Sequence, residues 1–151
     1  MDATGHTSHP RHRTVLVRHT LPDGSLHLDW FIDRLPERES ASGPDADART
    51  LASFRVMVRP DDPILRAFDG ERTPDHRAAY LTREGDIGDN RGAVSRIAHG
   101  WCFPARLEDE AIDLVIDLGA GPRRIVGRWL AVSGERGLGE WRFAASPVPD
   151  R

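Results

Sequence analysis

Two histidines and an aspartate sit near the start of the chain in an order that metal chemistry uses. His19 precedes Pro22-Asp23-Gly24, and His27-Leu28-Asp29 follows. In extended backbone successive side chains point to opposite faces, so His27 and Asp29 share one face while Leu26, Leu28, Trp30 and Ile32 share the other. Pro-Asp-Gly favours a chain reversal that lays residues 14–19 beside this second strand, with His19 at the end nearest the turn. Two imidazoles and a carboxylate on neighbouring strands suit a divalent cation with open coordination positions. A His-x-Asp pair alone more often serves solubility, and the third group across the turn is what makes it a candidate site.

Further along, His76 and Tyr80 are four residues apart in Asp75-His76-Arg77-Ala78-Ala79-Tyr80. That spacing puts them on one side of either a helical turn or an extended segment. Residues 81–92, LTREGDIGDNRG, form a loop dense in Gly and Asp, where a rigid scaffold often places working groups. Arg91, between Asn90 and Gly92, is its notable cation.

The elements that must position these groups read as strands. Residues 14–19 and 26–33 make the first hairpin. Residues 50–59 alternate Leu51, Ser53 and Arg55 against Ala52, Phe54 and Val56, and Pro60 and Pro63 end that strand. Residues 64–72 are a short turn or strand, 93–103 alternate imperfectly, and 111–118, 124–132 and 140–144 are strands separated by Gly-rich turns. Outside residues 108–112 no stretch has a long helical period. Short, regularly spaced strands predict a mainly β fold, a small antiparallel barrel of about eight strands with one or two short helices. Trp30, Phe54, Trp101, Trp129, Trp141 and Phe143 are its expected core. Residues 1–13 read as a flexible arm, in which His6, His9 and His12 carry no chemistry. Residues 35–49 read as a surface loop, 14–146 as a single domain and 147–151 as a tail.

Composition narrows the function classes. The chain has 151 residues, with 30% charged against 38% hydrophobic. No apolar run approaches the roughly 18 residues of a membrane helix. A single cysteine, Cys102, and the lack of an apolar leader predict a reducing, cytoplasmic setting. The net charge of −3 argues against bulk electrostatic coating of nucleic acid, so any such contact is local. Every basic residue is arginine, whose planar guanidinium pairs well with phosphate oxygens.

These motifs, in this order, resemble the 3′-phosphoesterase domain found on bacterial end-joining DNA ligases and as small stand-alone proteins. The likeness rests on His19, on His27-Leu28-Asp29, on Asp75-His76 with Tyr80, on Glu84-Gly85, on Gly127-Arg128-Trp129, and on the Gly-rich turn before Glu140-Trp141. It spans roughly residues 14–144. It implies a metal-dependent enzyme, with Mn²⁺ foremost and Zn²⁺ or Co²⁺ as alternatives, that trims blocked 3′ ends of DNA or RNA. By position His19, His27 and Asp29 are then the metal ligands, and His76 and Tyr80 act at the phosphate. The implied partners are primer-template 3′ ends and a DNA ligase or other end-joining proteins, with the chain itself a monomer.

One departure stands out. The family carries an arginine two residues after the metal-binding aspartate, where this chain has Phe31. Arg55 and Arg91 are the candidates to supply the missing phosphate contact. Without one, a non-catalytic DNA-end-binding module is the alternative. A two-His-one-carboxylate iron oxygenase, completed by His99 or His76, is a more distant one.

Overall fold

A computed structural model describes residues 10–37, 44–132 and 134–149. Nine strands are present among them: β1 His12–Thr20, β2 Leu26–Pro36, β3 Leu51–Val56, β4 Ala67–His76, β5 Gly85–Asp86, β6 Ala93–Leu107, β7 Ala111–Asp117, β8 Arg123–Trp129 and β9 Gly139–Pro147. All pairings are antiparallel, in the order β1-β2-β3-β4-β9-β8-β7-β6, and a β1–β6 pairing closes the ring. The expected barrel of about eight strands is therefore present, with the two-residue β5 added outside β6. The helical content is a single turn at Pro44–Asp47 and a 3₁₀ turn at Ala78–Leu81.

Some boundaries move. β1 begins at His12, within the expected arm; the ring nitrogen Nδ1 of that residue bonds the Asp33 carbonyl at 2.8 Å. Residues 1–9 of the arm lie outside the described residues, as do 38–43 of the expected loop and 150–151 of the expected tail. Residues 35–36 of that loop continue β2, and residues 67–76 form one strand, longer than the turn or short strand expected there.

Alternation along the strands fills the barrel. Leu16, Trp30, Ile32 and Phe54 from the first strands meet Ile112, Leu114 and Ile116 of β7, Ile125 of β8, and Trp141 and Phe143 of β9 in one fully buried cluster. Phe143 lies at its centre, with ring centroids 4.8 Å from Phe68, 5.2 Å from Phe54 and 5.9 Å from Trp30. Gly127 opposite it leaves this room, because a Cβ there would stand 2.5 Å from the Phe143 ring. Burying each such side chain contributes about 1.5–3 kcal/mol. Of the six aromatics expected inside, Trp101 and Trp129 are only partly buried: the Arg11 guanidinium stacks 3.6 Å over Trp101, and Trp129 donates to the Leu138 carbonyl.

A second, smaller cluster decides where the site lies. Val15, Val17, Phe31 and Leu51 point away from the barrel interior and are covered by Tyr80, Leu81, Ile87 and Val94. β1 and β2 are thus buried on both faces, and the 78–94 segment roofs the outer one. Among the described residues no helix is long and apolar enough to cross a membrane.

Candidate metal centre

Register places the triad. On β1 and β2, His19 stands opposite His27, Val17 opposite Asp29 and Val15 opposite Phe31. β3 sets Arg55 opposite Asp29 and Ser53 opposite Phe31. Paired residues share a face, so His19, His27, Asp29 and Arg55 all point outward, opposite Trp30 and Ile32.

The three candidate ligands converge. One nitrogen from each imidazole and one Asp29 oxygen lie within 4.8 Å of one another. His19 Nδ1 is 3.7 Å from Asp29 Oδ2, and His27 Nε2 is 3.3 Å from Asp29 Oδ1. Donors on neighbouring vertices around an ion with bonds of about 2.1 Å stand about 3.0–3.4 Å apart, so small side-chain movements suffice.

Two features fit a cation. His27 Nε2 is buried with no hydrogen-bond partner, since its approach to Asp29 lacks hydrogen-bond alignment. Leaving such an atom unmatched costs about 1–3 kcal/mol, and an ion held between the two groups would satisfy it. Burial also pushes the His27 pKa below its ordinary value, helped by Arg55 and His19 and opposed by Asp29. A neutral imidazole is the form that ligates. His19, for its part, is held through Nε2 by the Arg91 main-chain carbonyl at 2.7 Å, which leaves Nδ1 facing Asp29. This group of two histidines and one carboxylate could hold a metal ion.

A cleft of about 270 Å³ adjoins the triad, and His19, Asp29, Phe31, His76, Tyr80 and Arg91 all line it. His76 ends β4 and Tyr80 sits in the 3₁₀ turn, with their ring centroids 5.4 Å apart. The Phe31 ring is 4.9 Å from His76 and 5.9 Å from Tyr80. Nδ1 of His76 bonds the Pro74 carbonyl at 2.9 Å. A carbonyl only accepts, so Nδ1 carries the hydrogen and Nε2 remains for exchange with a ligand. Burial lowers the His76 pKa, against the opposing pull of the Pro74 carbonyl and Asp29. Asp75 beside it is structural: it accepts from Arg34 at 2.7 Å and lies 3.5 Å from Arg72, tying the end of β4 to β2.

Neither expected phosphate-binding arginine is presented as a free clamp. Arg91 lines the cleft, but its guanidinium donates to the Ile87 carbonyl at 2.7 Å and the Gly88 carbonyl at 3.3 Å. Arg55 flanks Asp29 from β3, half exposed, with Glu71 at 4.0 Å. His99 belongs elsewhere, in a cleft with Arg13, Thr14 and Trp101, and does not join the triad.

Sequence reasoning missed the Arg91 carbonyl, because it weighed that residue for its side chain. It also missed Arg77 and Arg83, whose guanidinium carbons lie 6.0 Å and 5.8 Å from the Tyr80 ring centre. Their positions three to either side of Tyr80 were the available signal. Compared with models of known protein families and with curated proteins, the chain matches none.

Proposed function

We propose that this protein is a metal-dependent phosphoesterase that processes blocked 3′ ends of DNA or RNA in repair. The observation that carries the reading is the shared cleft: His19 and Asp29 of the triad line it together with His76 and Tyr80. His19, His27 and Asp29 would hold a divalent ion, which when bound would supply Lewis-acid polarisation of a phosphoryl oxygen. Mn²⁺ suits a mixed imidazole and carboxylate set, as do Zn²⁺ and Co²⁺.

The chain's own groups do the rest. His76, with Nδ1 tied to Pro74, exchanges a proton through Nε2 with the attacking water or the leaving oxygen. Tyr80 donates a hydrogen bond to the phosphate. Arg55, beside Asp29 on the neighbouring strand, adds positive charge near the anionic end. The partners that follow are primer-template 3′ ends and a ligase that seals the trimmed end.

A second reading draws on Phe31. With an apolar ring at the arginine position and Arg91 engaged by its own loop, the cleft suits a module that binds DNA ends without turnover. One experiment separates the two. Release of inorganic phosphate from a 3′-phosphorylated primer in Mn²⁺, abolished by chelator and by Asp29→Ala, supports the enzyme. Saturable, metal-dependent end binding with no product supports the module, and the absence of both product and binding overturns both.

A further inference from the structure

A second cleft, of about 580 Å³, shares no lining residue with the metal centre. It lies between the segment 63–66, the end of β9 and the first residue of β8, Arg123. Its walls are mostly apolar, from Pro63, Ile64, Leu65 and Pro147, and no acidic residue lines it among the described residues. Ile64 is left 82% exposed at this place.

Arg123 is the unusual group. Only 7% exposed, it donates Nη2 to the Leu65 carbonyl, while its buried Nε has no partner. Among the described residues no carboxylate pairs with it. A buried guanidinium without a counter-charge is expensive. The contrast in charge lies within the same molecule: Arg72, equally buried at 6% and with its own Nε also unpartnered, has Asp75 at 3.5 Å. Arg66, exposed on the same cleft, adds a second positive charge.

An apolar concavity of this size with one or two placed polar groups is the usual form of a small-ligand site. We propose that it binds a small organic carboxylate with an aliphatic tail. The head group accepts from Arg123, with Arg66 adding its charge, and the tail packs on Pro63, Ile64 and Leu65. A carboxylate brings one negative charge for one buried guanidinium. A phosphate dianion would bring a second charge that only Arg66, exposed to solvent, could meet.

The test uses the full chain, ¹⁵N-labelled, titrated with octanoate. Saturable shifts are expected at the amides of Leu65, Arg66, Ala145 and Ser146, while the metal-centre amides stay still. Methyl octanoate keeps the tail but loses the charge, and should bind at least about tenfold more weakly. Arg123→Gln should weaken octanoate by a similar factor; should that variant fail to fold, the ester comparison on the wild type decides alone. No saturation by about 10 mM octanoate, or an ester that binds as well as the acid, overturns the proposal. Tighter binding of octyl phosphate than of octanoate overturns the head-group assignment.

Discussion

His19 donates through Nε2 to the main-chain carbonyl of Arg91 at 2.7 Å, across 72 positions of sequence. In the neutral ring the bond fixes the tautomer, because only a protonated nitrogen can meet a carbonyl, and it leaves the lone pair on Nδ1, the nitrogen that faces Asp29. Metal-ligating histidines are commonly held in this way. The loop that delivers the carbonyl is tightly wound. Ile87 N–H bonds the Gly92 carbonyl and Arg91 N–H the Gly88 carbonyl, both at 3.0 Å, and Asp89 and Asn90 adopt φ of 51° and 55°. Gly92, at φ 95°, passes so close to the β1–β2 turn that a Cβ would stand 2.0 Å from the Thr20 carbonyl oxygen.

Gly92→Ala should therefore damage the centre without touching a ligand. Left-handed backbone and the collision with Thr20 cost about 1–3 kcal/mol, and loss of the orienting carbonyl should lower metal affinity about 10–100-fold. Arg91→Ala is the gentler companion, since it removes the guanidinium that braces the loop at the Ile87 carbonyl. Mn²⁺ titration followed by electron paramagnetic resonance, on folded variants, gives the affinities. Unchanged affinity in both would show that the loop does not hold His19.

His27→Ala should separate binding from folding. The wild type should be stabilised by metal, by about 2.7 kcal/mol at a hundred times its Kd. The variant should show no such gain. In chelator the two proteins should differ by no more than about 2 kcal/mol, because the lost ring packing is partly offset by removing the unpartnered Nε2. Thermal unfolding with and without Mn²⁺ makes the comparison, and a variant still stabilised like the wild type would remove His27 from the ligand set.

The hairpin was legible because its two periods agree. Alternation placed His27 and Asp29 opposite Trp30 and Ile32, and Pro22-Asp23-Gly24 set the reversal that brings His19 across. The same logic sorted Leu51, Ser53 and Arg55 from Ala52, Phe54 and Val56 on β3. Alternation does not reveal what covers the outer face. The roof comes from a segment whose Gly and Asp content reads as solvated loop, although Ile87 and Val94 anchor it in the second core cluster. Nor does side-chain type announce a main-chain role, which is how the Arg91 carbonyl escaped notice. Trp101 escaped for a related reason: a stacked guanidinium, not the core, covers part of it.

Phe31, two residues after Asp29 on β2, closes the space beside the candidate site. At 1% exposure it packs in the outer cluster and against His76 and Tyr80, so it fills space that a guanidinium could enter only by being buried. Phe31→Ala should cost about 3–5 kcal/mol, as for other buried aromatics. Phe31→Arg should also destabilise by placing a charge in a buried apolar position, and should weaken metal binding by competing for Asp29, which lines the same cleft. His76→Ala should instead keep metal affinity and lower any turnover by about two to four orders of magnitude. Chemical denaturation and single-turnover assays on the three variants read these outcomes. Loss of metal binding in His76→Ala would place that residue among the ligands.

Two lowered histidine pKa values set a pH dependence whose sign can be worked out for the metal-free protein. Burial holds both His27 and His76 below the ordinary 6.5. Below 6.5 the unfolded chain takes up protons that the folded one refuses, so this stability is full above that pH and is lost as pH falls towards the folded values. The carboxyl groups lowered by hydrogen-bonding partners, Asp23 with Ser25, Glu37 with Arg11 and Asp113 with Arg124, lose their contribution only below their ordinary values of 3.8, 4.5 and 3.8. Between pH 6.5 and 4.5 these two histidines therefore give a falling stability. Urea midpoints in chelator should fall steadily across that window, and His76→Gln should flatten the fall by removing one of the two groups. A wild-type profile level from pH 6.5 to 4.5 would mean that neither ring is held neutral by burial.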